Sequence, residues 1–128
     1  MQNLPPEALQ EVAAYFQVLS EPTRLQILNL LRDRPQNVGD LATYCGCTAA
    51  NISRHLALLT QRGLVNRESR GTSAYYSISD DSVYGLCDLV CGSIARQFEV
   101  RQVLRQPFLP SLGTSVKRRA PRRNTKSS

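Results

Sequence analysis

Residues 40–59, DLATYCGCTAANISRHLALL, predict two short helices separated by a glycine turn. Apolar side chains at Ile52, Leu56 and Leu59 recur at helical spacing, so one face of the second helix is expected to pack inward. Thr48 is a residue type that caps the start of a helix. The stretch therefore predicts a helical hairpin whose second helix keeps its polar face free.

The polar face of this second helix carries residue types that contact DNA. A recognition helix presents amide, hydroxyl and cationic side chains near its N-terminus to base edges and phosphates. The residues that fit this description are Asn51, Ser53, Arg54 and His55. The pattern predicts a DNA-reading helix-turn-helix, although many small helical hairpins look similar.

Two β-rich runs, residues 64–70 and 73–79, follow directly and meet around Gly71-Thr72. Such runs around a glycine turn predict a hairpin, and a helix-turn-helix followed by a hairpin is a winged helix. Arg67 and Arg70 are placed where a wing reaches the phosphate backbone. Either arginine alone is more typical of an ordinary exposed hairpin, but with the preceding helix the wing is the better interpretation.

Three more helices are predicted from apolar periodicity, at about residues 5–20, 22–32 and 82–105. The first and last carry more apolar surface than a winged-helix monomer of this size can cover. A symmetric dimer through these two helices would cover it and would place two recognition helices in successive major grooves. The predicted fold is a mainly helical α+β winged helix-turn-helix, in the order α-α-α-α-β-β-α.

Positive charge is unevenly distributed along the 128 residues, whose formal net charge is +6. Residues 1–105, the predicted DNA-binding and dimerisation domain, hold equal numbers of basic and acidic side chains. The excess lies in residues 106–128, a tail with too little apolar content to fold, which we predict to be disordered. This tail either raises non-specific affinity for DNA phosphates or only increases solubility.

The N-terminus lacks the basic start and apolar run of a signal peptide, and no stretch is long and apolar enough to span a membrane. We therefore expect a cytoplasmic protein with reduced thiols. His55, the single histidine, has no acid at a useful spacing, and no glycine loop that cradles phosphate is present. The sequence argues against an enzyme, whereas a winged helix that binds only proteins stays open.

Four cysteines in a reducing compartment are candidate ligands, redox sensors or core residues. Cys87 and Cys91 stand four residues apart on the last predicted helix, a spacing that suits two thiolates on one soft ion better than a disulfide. Burial as small core residues is the equal alternative. Cys45 and Cys47 flank the glycine of the turn, where small core-facing residues are usual, so they are weaker candidates.

The chain resembles the ArsR/SmtB family of bacterial metal-responsive repressors. The segments that carry the resemblance are LSEPTRLQIL (19–28), ISRHLALL (52–59), GLV (63–65) and GTSAYY (71–76). The resemblance implies a homodimer that binds operator DNA when ligand-free and releases it when an inducer, commonly a metal or metalloid ion, binds elsewhere on the dimer. It places Thr48, Ala49, Asn51, Ser53 and Arg54 on the recognition helix, and residues 70–75, with Thr72 and Tyr75, in the wing.

The chain departs from this family at three places. Ala49 stands where many members carry glutamine, which removes one side chain suited to bidentate base contact. The family's Cys-x-Cys metal site would fall at Asn37 and Gly39, which are not ligands. Its zinc site on the last helix would fall at Asp80, Ser82, Ser93 and Arg96, which supply one possible ligand in four.

We therefore expect a repressor that needs no cofactor to bind operator DNA. An inducer such as As(III) or Sb(III) is expected at Cys87 and Cys91, with a third thiolate from the partner subunit. Two alternatives share the fold: the thiols sense an oxidant or persulfide, or all the cysteines are structural.

Overall fold

The computed structural model describes residues 2–101. This part contains α1 (Pro6–Leu19), α2 (Pro22–Leu30), β1 (Gln36–Asn37), α3 (Val38–Cys45), α4 (Ala49–Gln61), β2 (Val65–Arg70), β3 (Ser73–Ile78) and α5 (Ser82–Arg101). The mainly helical winged fold is confirmed. The predicted tail, residues 106–128, and the predicted end of the last helix, residues 102–105, lie outside the described residues.

The helical hairpin is formed by α3 and α4, joined by a left-handed glycine. Gly46 ends α3 with φ of 65°, a conformation that glycine adopts without steric cost. Thr48 then caps α4, because its hydroxyl oxygen accepts a hydrogen bond from the Asn51 backbone N–H at 3.1 Å. The predicted turn and cap are therefore both present, and they fix where α4 begins.

The start of α3 differs from the prediction. This helix begins at Val38, ahead of the stretch that opens at Asp40 in the sequence-based assignment. The cause is the side chain of Asn37, whose Oδ1 accepts a hydrogen bond from the Asp40 backbone N–H at 2.7 Å. Asn37 thus has a structural role at a position where the family resemblance raised the question of a metal ligand.

The sheet has three antiparallel strands in the order β1-β3-β2, whereas the sequence predicted only the hairpin of β2 and β3. The predicted hairpin is present: Arg70 pairs with Ser73 across Gly71-Thr72, and Gly71 has φ of 63°. The additional strand β1 pairs Gln36 with Tyr76. A strand of two residues has no period that a sequence can display, so only its tertiary pairing reveals it.

The core of the unit that ends at Asp81 lies among α2, α3, α4 and β2. Its fully buried side chains are Ile27, Leu41, Ile52, Leu56, Leu59, Leu64 and Val65. The predicted inward face of α4 is therefore confirmed. On α2, Ile27 and Leu28 are buried, whereas Leu25 is 40% exposed.

The predicted apolar stripe of α1 is largely uncovered in the single chain. Leu19 is buried, but Leu9 and Phe16 are each 46% exposed. The helix α5 forms a separate unit, in which Val83 and Ala95 are buried while Leu89 is 73% exposed. No helix among the described residues combines the length and the apolar character needed to cross a membrane.

We expect Thr48→Ala to lower the free energy of unfolding by about 1 kcal/mol, because it removes the side-chain cap of α4. Thr48→Ser should retain most of the stability, since serine supplies an equivalent oxygen. Urea denaturation followed by circular dichroism measures both. Thr72→Ala, at an exposed position in the hairpin turn, is the control, and equal stability of the two alanine variants would contradict the capping role.

Candidate nucleic-acid interface

The predicted DNA-contacting residues of the helical hairpin converge on the N-terminal half of α4. Four of them, Thr48, Ala49, Ser53 and Arg54, are exposed, and two, Asn51 and His55, are half-buried. Because α4 contains no acidic residue, no carboxylate on this helix opposes a phosphate. The surface has the shape and charge of a helix that can enter a major groove.

Arg54 is held against its own helix. Its Nη2 donates a hydrogen bond to Oδ1 of Asn51, one turn earlier on the exposed side of α4. The contact restricts the rotamers of a long, exposed side chain. Asn51 and Arg54 therefore act as a pair.

His55 has a partner that the sequence analysis missed. Its Nδ1 lies 3.1 Å from Nη1 of Arg24, which stands on α2. The same guanidinium donates from Nε to the Val18 carbonyl at 2.5 Å and from Nη2 to the Gln17 carbonyl at 3.5 Å. Arg24 therefore joins the last turn of α1 to the recognition helix. Its sequence signal was a cation in the first turn of an otherwise largely apolar predicted helix.

An open cleft of about 340 Å³ runs beside α4. It is lined by Arg24, Arg54, His55, Ala57, Leu58 and Gln61. The nitrogen-bearing side chains in this lining place positive charge and hydrogen-bond donors next to the exposed face of the helix. The surface of the cleft is otherwise mostly apolar, so these few side chains supply its polar groups.

Glu21 places a carboxylate near Arg24 and His55. It caps α2 by accepting hydrogen bonds from the backbone N–H groups of Thr23 at 2.6 Å and Arg24 at 3.1 Å. Desolvation raises the pKa of Glu21, but these backbone hydrogen bonds and the nearby Arg24 charge together lower it below its ordinary value. Glu21 is therefore ionised at neutral pH and balances the Arg24 charge.

The wing separates its two arginines. Arg67 and Arg70 are both exposed. They stand three residues apart on β2, and because side chains alternate along a strand, they lie on opposite faces of the hairpin. Arg70 lies over the ring of Tyr75, with its Cζ 4.7 Å from the ring centroid, and its Nη2 is 3.4 Å from a Glu68 oxygen. Thr72 is exposed at the tip. The predicted wing residues thus form two surfaces, of which one holds Arg70 and Tyr75.

The thiols of the hairpin turn, Cys45 and Cys47, are both half-buried. Burial raises the pKa of the Cys45 thiol, and the neighbouring Cys47 adds to this effect. The Cys47 thiol donates to the Cys45 carbonyl at 3.5 Å. The raised pKa disfavours the Cys45 thiolate, which metal ligation and nucleophilic attack both require.

The thiols of α5, Cys87 and Cys91, are also half-buried, and no disulfide joins any of the four cysteines. The exposed Leu89 and Val90 lie between them in sequence. Within residues 2–101 no three histidine, cysteine or acidic side chains come together as metal ligands. A single subunit therefore offers two thiols of α5 to an ion, and a three-coordinate site needs a further ligand.

A helical hairpin with a capped, acid-free recognition helix and a β-wing behind it defines a winged helix-turn-helix regulator of transcription. Residues 21–67 match the family described as bacterial regulatory protein, arsR family. The transcriptional regulator NmtR of Mycobacterium tuberculosis is 39% identical over 82 residues, which cover 64% of this chain and 68% of NmtR. This chain belongs to the ArsR family, and it is a DNA-binding regulator and not an enzyme.

Two further relatives extend the comparison. The arsenical resistance operon repressor of Bacillus subtilis is 33% identical over 81 residues, which cover 62% of this chain and 77% of the repressor. The solution structure of Mb0332 from Mycobacterium bovis, a homodimeric winged helix-turn-helix DNA-binding domain, matches with a TM-score of 0.62 and 30% identity. That match covers 80% of this chain and 95% of the Mb0332 chain.

We predict that Glu21→Gln lowers the free energy of unfolding at neutral pH and that this loss disappears on acidification. The folded pKa of Glu21 lies below that of the unfolded chain, about 4.3. Such a group stabilises the fold above the unfolded value, and the contribution is lost as the pH falls through the folded value. Urea denaturation of both proteins across this range measures the difference.

Asp33→Asn, at an exposed acid outside this network, is the matched control for the Glu21 variant. The difference in the free energy of unfolding between Asp33→Asn and the parent protein should change less with pH. A constant difference between Glu21→Gln and the parent protein at every pH would refute the electrostatic role of Glu21.

Proposed function

We propose that this regulator is a homodimeric repressor that reads operator DNA through α4 and the wing. A thiophilic ion at Cys87 and Cys91 would release the DNA. The observation that carries the proposal is the exposed, acid-free face of α4, on which Arg54 is already ordered by Asn51. The experiment that tests it is operator binding by variants of this face.

Base recognition is assigned to few side chains. Ala49 offers no hydrogen bond to a base edge, so direct reading falls to Asn51, Ser53 and Arg54. Arginine contacts guanine edges or phosphates, and asparagine contacts adenine edges. On the wing, Arg70 is the better placed arginine, because Tyr75 and Glu68 restrict its side chain near the tip.

Uncovered apolar surface supports dimerisation. The large exposed apolar side chains of the two helices assigned to the interface are Leu9, Phe16, Leu89 and Val90. A dimer interface through these helices would cover this exposed apolar surface. The homodimeric relative Mb0332 supports the same assembly. A twofold dimer would set two α4 helices at the spacing of adjacent half-sites.

The choice of inducer rests on thiol chemistry. Soft thiolate ligands favour soft ions, and a trigonal ion such as As(III) or Sb(III) needs one thiolate beyond Cys87 and Cys91. The partner's α5 is the proposed source of this ligand. The likeness to an arsenical resistance repressor supports the same class of ion. Repacking of the dimer would then shift the operator affinity by about 1–3 kcal/mol.

We expect Arg54→Gln to weaken binding to a duplex that the parent protein selects from a random library, by on the order of tenfold. If Arg54 meets a phosphate, the salt dependence of the affinity should fall by about one unit of slope as well. Fluorescence anisotropy at several salt concentrations measures both quantities.

Arg62→Gln is the matched control, because Arg62 caps the opposite end of α4 and pairs with Glu11 at 3.2 Å. Its affinity should stay close to that of the parent. Equal loss in both variants would show that general charge and not this face of α4 determines binding.

We expect Cys87→Ser/Cys91→Ser to bind the selected duplex normally and to resist release by arsenite or antimonite in anaerobic buffer. Cys45→Ser/Cys47→Ser should still release it. Normal release of the α5 variant would place the site elsewhere. Release of the parent only by an oxidant or a persulfide donor would favour the redox alternative, in which the same thiols are oxidised.

A further inference from the structure

The hydrogen bond between Arg24 and His55 determines the tautomer of the histidine. A guanidinium has donors and no acceptor, so at 3.1 Å from Nη1 the Nδ1 atom of His55 must be the acceptor. The ring is then neutral, with its proton on Nε2. We infer that Arg24 is a positioning residue that holds His55 as the Nε2–H tautomer and thereby presents an uncharged donor to a DNA phosphate.

Arg24 is fixed before it reaches His55. Two carbonyls in the last turn of α1, those of Val18 and Gln17, accept hydrogen bonds from Nε and Nη2. The C-terminal end of a helix attracts a cation, and the ionised Glu21 adds negative charge nearby. Only Nη1 remains directed at α4, so the guanidinium acts as a rigid donor toward Nδ1.

The opposite edge of the ring is available to a ligand. No hydrogen-bond partner of Nε2 occurs within residues 2–101, and His55 lines the cleft together with Arg54 and Gln61. The charged groups near the ring are Arg24, Glu21 and Arg54. An anionic acceptor is favoured beside two arginines, and on DNA this acceptor is a phosphate oxygen.

An uncharged donor has a distinct signature in DNA binding. It contributes a hydrogen bond, worth about 3- to 10-fold in affinity, but it neutralises no phosphate and releases no counterion. Loss of the His55 contact should therefore weaken binding while the salt dependence stays unchanged. Loss of an arginine that contacts a phosphate should instead lower both the affinity and the salt dependence. This inference rests on the proposed role of α4 in DNA binding.

Two variants of His55 separate its two nitrogens. In His55→Asn the side-chain oxygen lies near the Nδ1 position and can still accept from Arg24, but no distal N–H remains. In His55→Gln an amide N–H lies near the Nε2 position. Against the duplex selected by the parent protein, we expect the asparagine variant to bind about 3- to 10-fold more weakly than the glutamine variant, with equal salt slopes.

The tautomer is measured directly, because His55 is the single histidine and its ring nitrogens give one pair of ¹⁵N signals. At a pH where the ring is neutral, the DNA-free parent should show a protonated Nε2. Arg24→Met should show a mixture of tautomers and weaker DNA binding at an unchanged salt slope. Arg62→Met, which breaks the contact of α4 with Glu11, is the control and should leave the tautomer unchanged.

Three results would overturn the inference: a parent protein with Nδ1 protonated, an Arg24→Met spectrum identical to that of the parent, or equal DNA affinity of the asparagine and glutamine variants. Failure of the proposed function looks different. In that case the parent protein retains no duplex from the library, whatever tautomer the ¹⁵N spectrum shows.

Discussion

The rotation of α4 about its own axis is fixed by three buried side chains, and every polar contact of this helix depends on it. Ile52, Leu56 and Leu59 are fully buried, so the helix cannot turn without exposing apolar surface. With this face inward, Ser53 and Arg54 must face outward, because successive residues of a helix are about 100° apart. The exposed face of α4, which we propose reads DNA, is thus a consequence of core packing.

Polar contacts to the neighbouring helices α1 and α2 add to the apolar packing that positions α4. At its midpoint, His55 is hydrogen-bonded to Arg24, which is anchored on carbonyls of α1. At its end, Arg62 pairs with Glu11 of the same helix α1. The second contact is exposed and contributes little, since surface ion pairs are weak. The contact between Arg24 and His55 is part-buried and directional, so it constrains α4 more than the exposed ion pair does.

The sequence predicts those parts of the fold that local rules control. Thr48 and the apolar spacing of Ile52 and Leu56 identify α4, and Gly71-Thr72 identifies the hairpin. Strand β1 cannot be predicted from local sequence, because it is defined only by its pairing with the distant β3, for example Gln36 with Tyr76. The role of Arg24 cannot be predicted for the same reason, since its partners lie on α1 and α4 and no spacing along the chain connects them. The separation of Arg67 and Arg70 onto opposite faces is implicit in strand alternation, but only the observed register establishes it.

If the inducer binds at Cys87 and Cys91, ion binding and dimer arrangement are thermodynamically coupled. The described part of one subunit brings no third ligand to these thiols, so a three-coordinate ion would be completed only where two copies of α5 meet. The ion would then bind a particular arrangement of the two subunits and not a subunit by itself. A ligand shifts an equilibrium only by its difference in affinity for the two states. Such an arrangement would set the distance between the two α4 helices of the dimer. That distance can change while the packed face of Ile52, Leu56 and Leu59 stays intact within each subunit.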